Sequence, residues 1–400
     1  MRFLHTSDWH LGRSFFGVSL LEDQAHVLDQ LVRLAAESGV DAVLLAGDVY
    51  DRSTPPSDAV SLLDETLTRL VVGAGIPVVM IAGNHDSGER LGFGSRLLEA
   101  RGLHLAGSRP VIAVFEDAHG RFEVVAVPFC EPAAVAARLG QADVADHDKA
   151  LRAEFAALAT AAPAEKPARK QASASARRRV AVAHAFVSGG STSESERPLV
   201  MGNAALVSAE CFEGFCYAAL GHLHRPQRVG RAEVRYSGSL LKYSFDEASH
   251  RKSVSIVEID GAGACTLEEV SLSPRRDVRI VEGSLDELRA LAAGDPGRDD
   301  YVLARLTGRG AVLDAMGKMR LLYPNCLHIK RDEALAALAE DGERRADLRS
   351  HGEAELFDAF FREVTGEPAD EAETRAFADA LAAVRRREDG GGTPTGGGRP

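Results

Sequence analysis

The stretch Asp41-Ala-Val-Leu-Leu-Ala-Gly-Asp-Val-Tyr-Asp51 contains an apolar run typical of a buried strand, and this run stops at a Gly-Asp pair. Two other stretches follow the same pattern: the apolar run Arg2–Thr6 ends at Ser7-Asp8, and the apolar run Pro77–Ala82 ends at Gly83-Asn84. In the segments between them, apolar residues recur at helical spacing. Strands that alternate with helices of this length predict βαβ units, a largely parallel sheet and an α/β fold.

The rest of the chain divides into parts of different character. We expect a large α/β domain over 1–275, a small α/β capping domain over 276–345, a helical segment over 350–389 and a disordered tail over 390–400. Residues 161–179 are rich in Ala, Pro, Lys and Ser and have no apolar periodicity. This composition predicts a flexible insertion within the large domain.

Composition limits the possible functions. The 400 residues include 59 acidic and 47 basic side chains, so the formal net charge is −12. This balance argues against a protein that coats nucleic acid by bulk electrostatics, although local binding through metal ions or a basic partner stays open. The five cysteines never form a CxxC pair, which favours a reducing cytoplasm over a disulfide framework. No apolar run approaches the roughly 20 residues that a membrane span needs.

Five segments place Asp, Asn and His where predicted strands end, and in an open α/β sheet such ends share one crevice. The glycines at 47, 83 and 221 are interpreted as chain reversals. Alone, an Asp after a strand usually caps a turn and a His on a strand usually belongs to the core. Their joint occurrence favours a functional site instead. The segments are Asp8-Trp9-His10, Gly47-Asp48-Val49-Tyr50-Asp51, Gly83-Asn84-His85-Asp86, Ala183-His184 and Gly221-His222-Leu223-His224.

These residue types suit a particular kind of metal chemistry. Carboxylate, amide oxygen and imidazole without thiolate fit Mn²⁺, Fe²⁺ or Zn²⁺ and argue against a closed structural zinc site. Two cations roughly 3.5–4 Å apart need a shared ligand, for which a carboxylate is suited. Such a pair could bind a phosphodiester and activate water for its hydrolysis.

The order of these motifs resembles the calcineurin-like metallophosphoesterase superfamily, and more closely the SbcD family of nuclease subunits. The similarity covers roughly residues 1–330 and implies a core of central β-sheets flanked by helices, with a small C-terminal α/β capping domain and terminal helices. The stretches that carry the closer resemblance are His5-Thr-Ser-Asp-Trp-His-Leu-Gly12, Ala46-Gly-Asp-Val-Tyr-Asp51, Ala82-Gly-Asn-His-Asp-Ser87, Ala219-Leu-Gly-His-Leu-His-Arg225, Tyr236-Ser-Gly-Ser239 and Ser244-Phe-Asp-Glu247.

The resemblance also implies roles for individual residues. It implies two divalent ions, most readily Mn²⁺, and a catalytic histidine, His85, that contacts the scissile phosphate. Asp51 would orient His85, as a carboxylate beside an imidazole can. The implied ligands are Asp8, His10 and His224 for one ion and Asn84, His184 and His222 for the other, with Asp48 bridging.

At the level of function, the resemblance implies a DNA nuclease with 3′-to-5′ double-strand exonuclease and single-strand endonuclease action in DNA end processing, repair and recombination. The implied partners are an SbcC-type coiled-coil ATPase and a second copy of the chain, giving a homodimer within a heterotetramer. The Phe-rich segment at 356–364 is a candidate docking helix for the ATPase, and the alternative is a helix that packs on its own domain. The alternatives are a phosphoprotein phosphatase or cyclic-nucleotide phosphodiesterase on the same metal core, and a non-catalytic scaffold.

Overall fold

The computed structural model describes residues 1–161, 178–196, 205–307, 312–331, 352–365 and 367–389. Most of the expected insertion at 161–179 lies outside the described residues, as do the end of the expected capping domain and the tail at 390–400. The chain forms two compact units, Met1–Arg279 and Ile280–Pro400. Within the described residues, no helix combines the length and the apolar character that crossing a membrane requires.

Both units are mixtures of strands and helices. The strands are β1 (Arg2–Thr6), β2 (Ser14–Phe15), β3 (Val18–Ser19), β4 (Ala42–Leu45), β5 (Val78–Ile81), β6 (Leu103–Ala106), β7 (Val111–Asp117), β8 (Gly120–Val127), β9 (Arg179–His184), β10 (Phe186–Val187), β11 (Leu206–Val207), β12 (Tyr217–Gly221), β13 (Gln227–Val229), β14 (Arg231–Tyr236), β15 (Ser253–Ile259), β16 (Cys265–Ser271), β17 (Val278–Gly283), β18 (Tyr301–Leu306) and β19 (Cys326–Arg331). The α-helices are α1 (Leu21–Glu37), α2 (Ser57–Thr68), α3 (Gly88–Leu91), α4 (Ser95–Leu98), α5 (Pro132–Leu139), α6 (His147–Ala161), α7 (Leu285–Ala292), α8 (Ala315–Leu322), α9 (Glu353–Thr365) and α10 (Glu371–Asp389).

Two six-stranded sheets form the centre of the first unit. One has the order β16-β15-β1-β4-β5-β6, in which the last four strands are parallel and β15 pairs antiparallel with both β1 and β16. The other has the order β13-β14-β12-β9-β8-β7, with four parallel strands between two antiparallel edges. The prediction of a largely parallel sheet therefore describes the middle of each sheet, because apolar patterning does not reveal the direction of a neighbouring strand.

The two sheets share one core. Alternate residues such as Phe3 and Leu44 of the first sheet pack with Phe122 and Val182 of the second, and all four are fully buried. This period of two is what pleated strands require. Helices α5 and α6 cover other strand residues of the second sheet through a separate apolar cluster. The predicted class, central β-sheets flanked by helices, is confirmed.

The second unit has its own small core. Strands β17, β18 and β19 form one sheet in that order, and β18 and β19 are parallel. Val302, Met319 and Tyr323 are among its fully buried residues. Helix α7 begins with a capping box in which Ser284 and Glu287 satisfy each other's backbone N–H groups.

Candidate metal centre

The sequence-predicted ligands come from both sheets of the first unit. Asp8, Asp48 and Asn84 follow parallel strands of the first sheet, whereas His184 ends β9 and His222 follows β12 in the second. Parallel strands bring their carboxyl ends to one edge of a sheet. These edges of the two sheets are joined directly, because both carboxylate oxygens of Asp8 accept the backbone N–H of His222, at 3.0 and 3.2 Å.

One group of potential ligands is formed by Asp8, His10 and His224. Each offers a ligand atom, and these atoms lie within 4.8 Å of one another. The Nε2 atoms of His10 and His224 are 3.1 Å apart, and both side chains are almost completely buried. Two imidazole nitrogens that face each other beside a carboxylate make a suitable pocket for a cation.

A second group lies around Asp48. Ligand atoms of Asp8, Asp48 and His184 also lie within 4.8 Å of one another. The Asn84 Oδ1 atom is 2.9 Å from His184 Nε2 and 3.1 Å from His222 Nδ1. Asp48 Oδ2 is 3.5 Å from His184 Nε2 and 3.6 Å from the Nε2 of His10 in the first group. The Asp48 carboxylate therefore lies between the two groups.

The charges in this cluster fit a cation site. Burial raises the pKa of Asp8 to about 6 and lowers the pKa of His222 to about 3. Burial also opposes the charged form of His184, yet the Asp48 carboxylate raises the pKa of His184 to about 9. Without metal, a protonated imidazole thus supplies the positive charge that the buried carboxylates require. A divalent ion can take over that role.

The hydrogen bonds of His184 also fit a ligand role. Its Nδ1 atom is 2.9 Å from the carbonyl oxygen of Ala46, which can only accept, so Nδ1 carries a proton. In the neutral ring, Nε2 then presents a lone pair toward Asn84 and Asp48. This arrangement, in which the second nitrogen is tied to a carbonyl, is usual for histidines that bind metal.

The backbone is strained at this place. Among the described residues, six non-glycine residues have positive φ, and four of them are Asp8 (52°), His10 (45°), Asp48 (49°) and His222 (109°). Such conformations cost on the order of 1–3 kcal/mol each and persist only where surrounding contacts enforce them. Buried Gln24 provides part of this support, because its amide donates to the carbonyl oxygens of both Trp9 and His10.

The glycines of the motifs serve two purposes. Gly47 has φ +87°, as expected for a chain reversal. Gly83 and Gly221 do not lie in the left-handed region, so the need for a positive φ does not explain these two glycines. A Cβ at Gly83 would lie 2.2 Å from Asp48 Oδ1, and one at Gly221 would lie 1.8 Å from the Ala46 carbonyl oxygen. These two glycines permit close approach of the ligand loops.

His85 lies beside the cluster with its ring centroid 4.7 Å from that of His10. Its Nδ1 is 2.8 Å from the main-chain oxygen of Asp51, so the expected contact exists but does not involve the Asp51 carboxylate. That carboxylate instead lies 3.2 Å from Arg13 and 3.7 Å from His10 Nδ1. Because Nδ1 bonds to the Asp51 carbonyl oxygen, the Nε2 atom of His85 is available to another partner.

Asp86 belongs to one of the five segments, but neither its residue type nor the resemblance implies a role for it. Its carboxylate accepts the backbone N–H groups of Val49 and Tyr50, at 3.0 and 2.9 Å, and of Gly83, at 2.9 Å. It therefore fastens the loop of Asp48 to the loop of Asn84. Burial, followed by repulsion from Asp48, raises the pKa of Asp86 to about 7. Its place directly after Asn84 and His85 is the only sequence signal that points to this role.

Comparisons with known proteins identify the family of this chain. Residues 1–226 match the family described as Calcineurin-like phosphoesterase, and residues 274–365 match the Type 5 capsule protein repressor C-terminal domain. The chain is 28% identical to the SbcD subunit of the SbcCD nuclease of Staphylococcus epidermidis, over 97% of this chain and 100% of that one. It is 31% identical to the Staphylococcus saprophyticus protein of the same name, over 92% of this chain and 94% of that one.

A solved structure of a dimetal phosphatase from Danio rerio also matches, with 14% identity, a TM-score of 0.41, and coverage of 68% of this chain and 98% of that one. The sequence relatives and the family match together confirm the expected resemblance. The chain belongs to the calcineurin-like phosphoesterase family, within the group of SbcD nuclease subunits.

Proposed function

We propose that this chain is the nuclease subunit of a DNA-processing complex and cuts DNA as a divalent-metal-dependent phosphodiesterase. The observation that carries the proposal is the convergence of two carboxylates, an amide and four imidazoles in one buried cluster. The names of the Staphylococcus relatives favour a nuclease among the activities that this kind of centre can support. We propose 3′-to-5′ exonuclease action on double-stranded ends and endonuclease action on single strands.

In this proposal, the seven clustered residues divide between two ions, for which we propose Mn²⁺. Asp48 is shared, because its carboxylate lies between the histidines of both groups. Ions held there would supply positive charge to the phosphate and to the attacking water. The ligand sets are Asp8, His10 and His224 for one ion and Asn84, His184 and His222 for the other.

The role proposed for His85 follows from its hydrogen bonds. The backbone N–H of His85 donates to Asp48 Oδ1 at 2.9 Å, which ties the residue to the shared carboxylate. The Asp51 carbonyl holds Nδ1 as a donor and so fixes the plane of the ring. A proton on Nε2 can then pass to the departing oxygen, which is general-acid catalysis. Asp51 acts as a positioning residue through its main chain.

A coiled-coil ATPase of the SbcC type is the proposed protein partner. The chain contains no Gly-x-x-x-x-Gly-Lys-[Ser/Thr] phosphate loop, so ATP would be bound by that partner. Within the second unit, α9 and α10 pack through Phe357 and Phe377, whose rings stack with centroids 4.2 Å apart. Phe360 is 64% exposed, so α9 presents an aromatic residue to a docking helix. We propose 276–345 as the capping domain and 350–389 as the docking segment.

We also propose that two copies of the chain associate, giving a homodimer within a heterotetramer. An apolar groove of about 670 Å³ lies between the α2 region and the α3–α4 region of the first unit. Its surroundings expose Val72 (77%), Phe93 (86%) and Leu97 (81%). A cluster of this kind is typical of a protein–protein contact.

The proposal is tested by incubating the purified chain with labelled linear DNA, a phosphomonoester and a cyclic nucleotide, in Mn²⁺ and then in EDTA. His85→Ala is compared with His119→Ala, a matched control on the exposed turn between β7 and β8. Manganese-dependent DNA cleavage that is lost only in His85→Ala is the expected result. Hydrolysis of a small substrate without DNA cleavage would instead identify a phosphatase or a cyclic-nucleotide phosphodiesterase.

A further inference from the structure

The two nitrogens of the His224 ring face different surroundings. Nε2 is directed at His10 in the candidate metal centre, 3.1 Å from the Nε2 of that residue. Nδ1 points away from the centre, 2.6 Å from the hydroxyl of Ser195 and 3.3 Å from the Glu247 carboxylate. Glu247 is fully buried. The partners of Nδ1 therefore belong to a polar cluster in which Glu247 is buried and Ser195 is partly exposed.

The protons in this cluster can be assigned by counting donors. The Ser195 hydroxyl has one proton, and it forms a short hydrogen bond to Oε1 of Glu247. An ionised carboxylate can only accept, so Ser195 is the donor in that bond. The Ser195 oxygen then accepts a hydrogen bond from Nδ1–H of His224. Neutral His224 consequently carries its proton on Nδ1 and presents a bare Nε2 toward the metal centre.

Lys252 stabilises the ionised form of Glu247, which the assignment of these protons requires. The ammonium group is buried and donates to Glu247 Oε2 at 2.5 Å, to Ser239 Oγ at 2.8 Å and to the carbonyl oxygen of His224 at 2.7 Å. All three of its protons therefore have acceptors. Lys252 balances the charge of Glu247 and ties the cluster to the main chain of the His224 ligand.

This cluster also explains two stretches that resemble the family but to which the sequence assigns no role. Ser239 ends Tyr236-Ser-Gly-Ser239, and Glu247 ends Ser244-Phe-Asp-Glu247. The two stretches meet at Lys252. The corresponding nitrogen of His184, in the other ligand group, is held by the main-chain oxygen of Ala46. Of these two histidines, only His224 has its Nδ1 atom held by side chains.

We propose that Ser195, Glu247 and Lys252 are positioning residues that fix the tautomer and orientation of His224 and so set the affinity of one of the two ions. The affected ion is the one held by Asp8, His10 and His224. This inference rests on the proposed metal ligands. Loss of such outer partners typically weakens metal binding by about 10–100-fold.

The test is a Mn²⁺ titration of the full chain. Binding is measured by calorimetry and by electron paramagnetic resonance. The main variant, Glu247→Gln with Lys252→Met, removes both charges together and leaves neither one buried alone. Ser195→Ala is the variant with the least risk to folding, and Ser195→Thr restores the hydroxyl. Ser191→Ala is the matched control in the same loop, because the hydrogen bonds between Ser191 and Gln227 use only the main chain of Ser191.

The expected result is two Mn²⁺ per chain in the unaltered protein, with one of them weakened about 10–100-fold in the double variant. Ser195→Ala weakens the same ion about 10-fold, and the Thr and Ser191 variants do not. In the metal-free protein, ¹⁵N chemical shifts show His224 protonated on Nδ1, and the double variant, which lacks the Glu247 carboxylate, produces a mixture of tautomers. Binding of both ions at unaltered affinity in Ser195→Ala, or equal weakening of both, overturns the inference. Failure of the unaltered protein to bind two ions overturns the proposed metal centre instead.

Discussion

Replacing Asp86 by Ala removes a single carboxylate that joins two loops of the candidate metal centre. One loop carries Asp48 and the other carries Asn84, and neither of these residues is altered by the substitution. The carboxylate accepts three backbone N–H groups at 2.9–3.0 Å. Because the site is largely buried, water can replace these bonds only in part.

The expected loss of stability follows from the number of hydrogen bonds that Asp86 accepts. Each buried donor left without a partner costs about 1–3 kcal/mol, so three donors cost roughly 3–6 kcal/mol when partial access of water is allowed for. That is a large share of the roughly 5–15 kcal/mol that stabilises a typical domain. Asp86→Asn keeps one acceptor oxygen but turns an NH₂ group toward the donors, so it should cost about as much as one or two lost bonds.

The measurement is urea unfolding of the first unit, with amide hydrogen exchange at Val49, Tyr50 and Gly83. The exchange rates report the local bonds and do not depend on a two-state transition. Asp143→Ala, at an exposed site, is the control and should change little. A free energy of unfolding for Asp86→Ala within about 1 kcal/mol of that of the unaltered protein, with these three amides still protected from exchange, would exclude this role of Asp86.

Three further predictions concern other parts of the first unit. Gly83→Ala should abolish Mn²⁺ binding in a calorimetric titration, because its Cβ would lie 2.2 Å from Asp48 Oδ1; retained binding would show that the loops can separate. The two hydrogen bonds that Arg178 donates to Asp117 lower the pKa of this carboxyl group. The Asp117 carboxylate therefore stabilises the fold at pH values above its pKa in the unfolded chain, and this stabilisation is lost as the pH falls through its pKa in the folded protein. Asp117→Asn should therefore lower stability at pH 7 by about 1–2 kcal/mol after solvent screening, and the difference in urea midpoint should shrink below about pH 4. Phe93→Glu should give a monomer in light scattering, and an unchanged dimer would exclude the apolar groove as the contact.

The residues of the candidate centre were predictable because their chemistry is local. Asp48 and Asn84 each follow an apolar strand, and His222 and His224 follow another. Strand ends in an α/β fold collect on one side, so short motifs suffice to place their side chains. The arrangement of whole strands was harder to predict. Strands β15 and β16 extend the first sheet beyond β1 in antiparallel pairing, a direction that alternation of apolar residues does not encode.

The supporting residues could not be predicted for a different reason. Lys252 would normally be placed on the surface, and only the fold brings it to Glu247 and Ser239. Gly221 gave the same signal as a turn glycine, although its role is to leave space beside Ala46. Asp51 was predicted as a partner of His85, but the choice between its carboxylate and its main-chain oxygen depends on backbone geometry.

We propose that one buried cluster holds two divalent ions with the Asp48 carboxylate between them. The most direct test is a crystal of the protein grown with Mn²⁺, with anomalous diffraction measured at the manganese edge. We expect two peaks roughly 3.5–4 Å apart on either side of Asp48, one beside His10 and His224 and the other beside His184 and His222. A single peak, or two peaks that do not share Asp48, would contradict it.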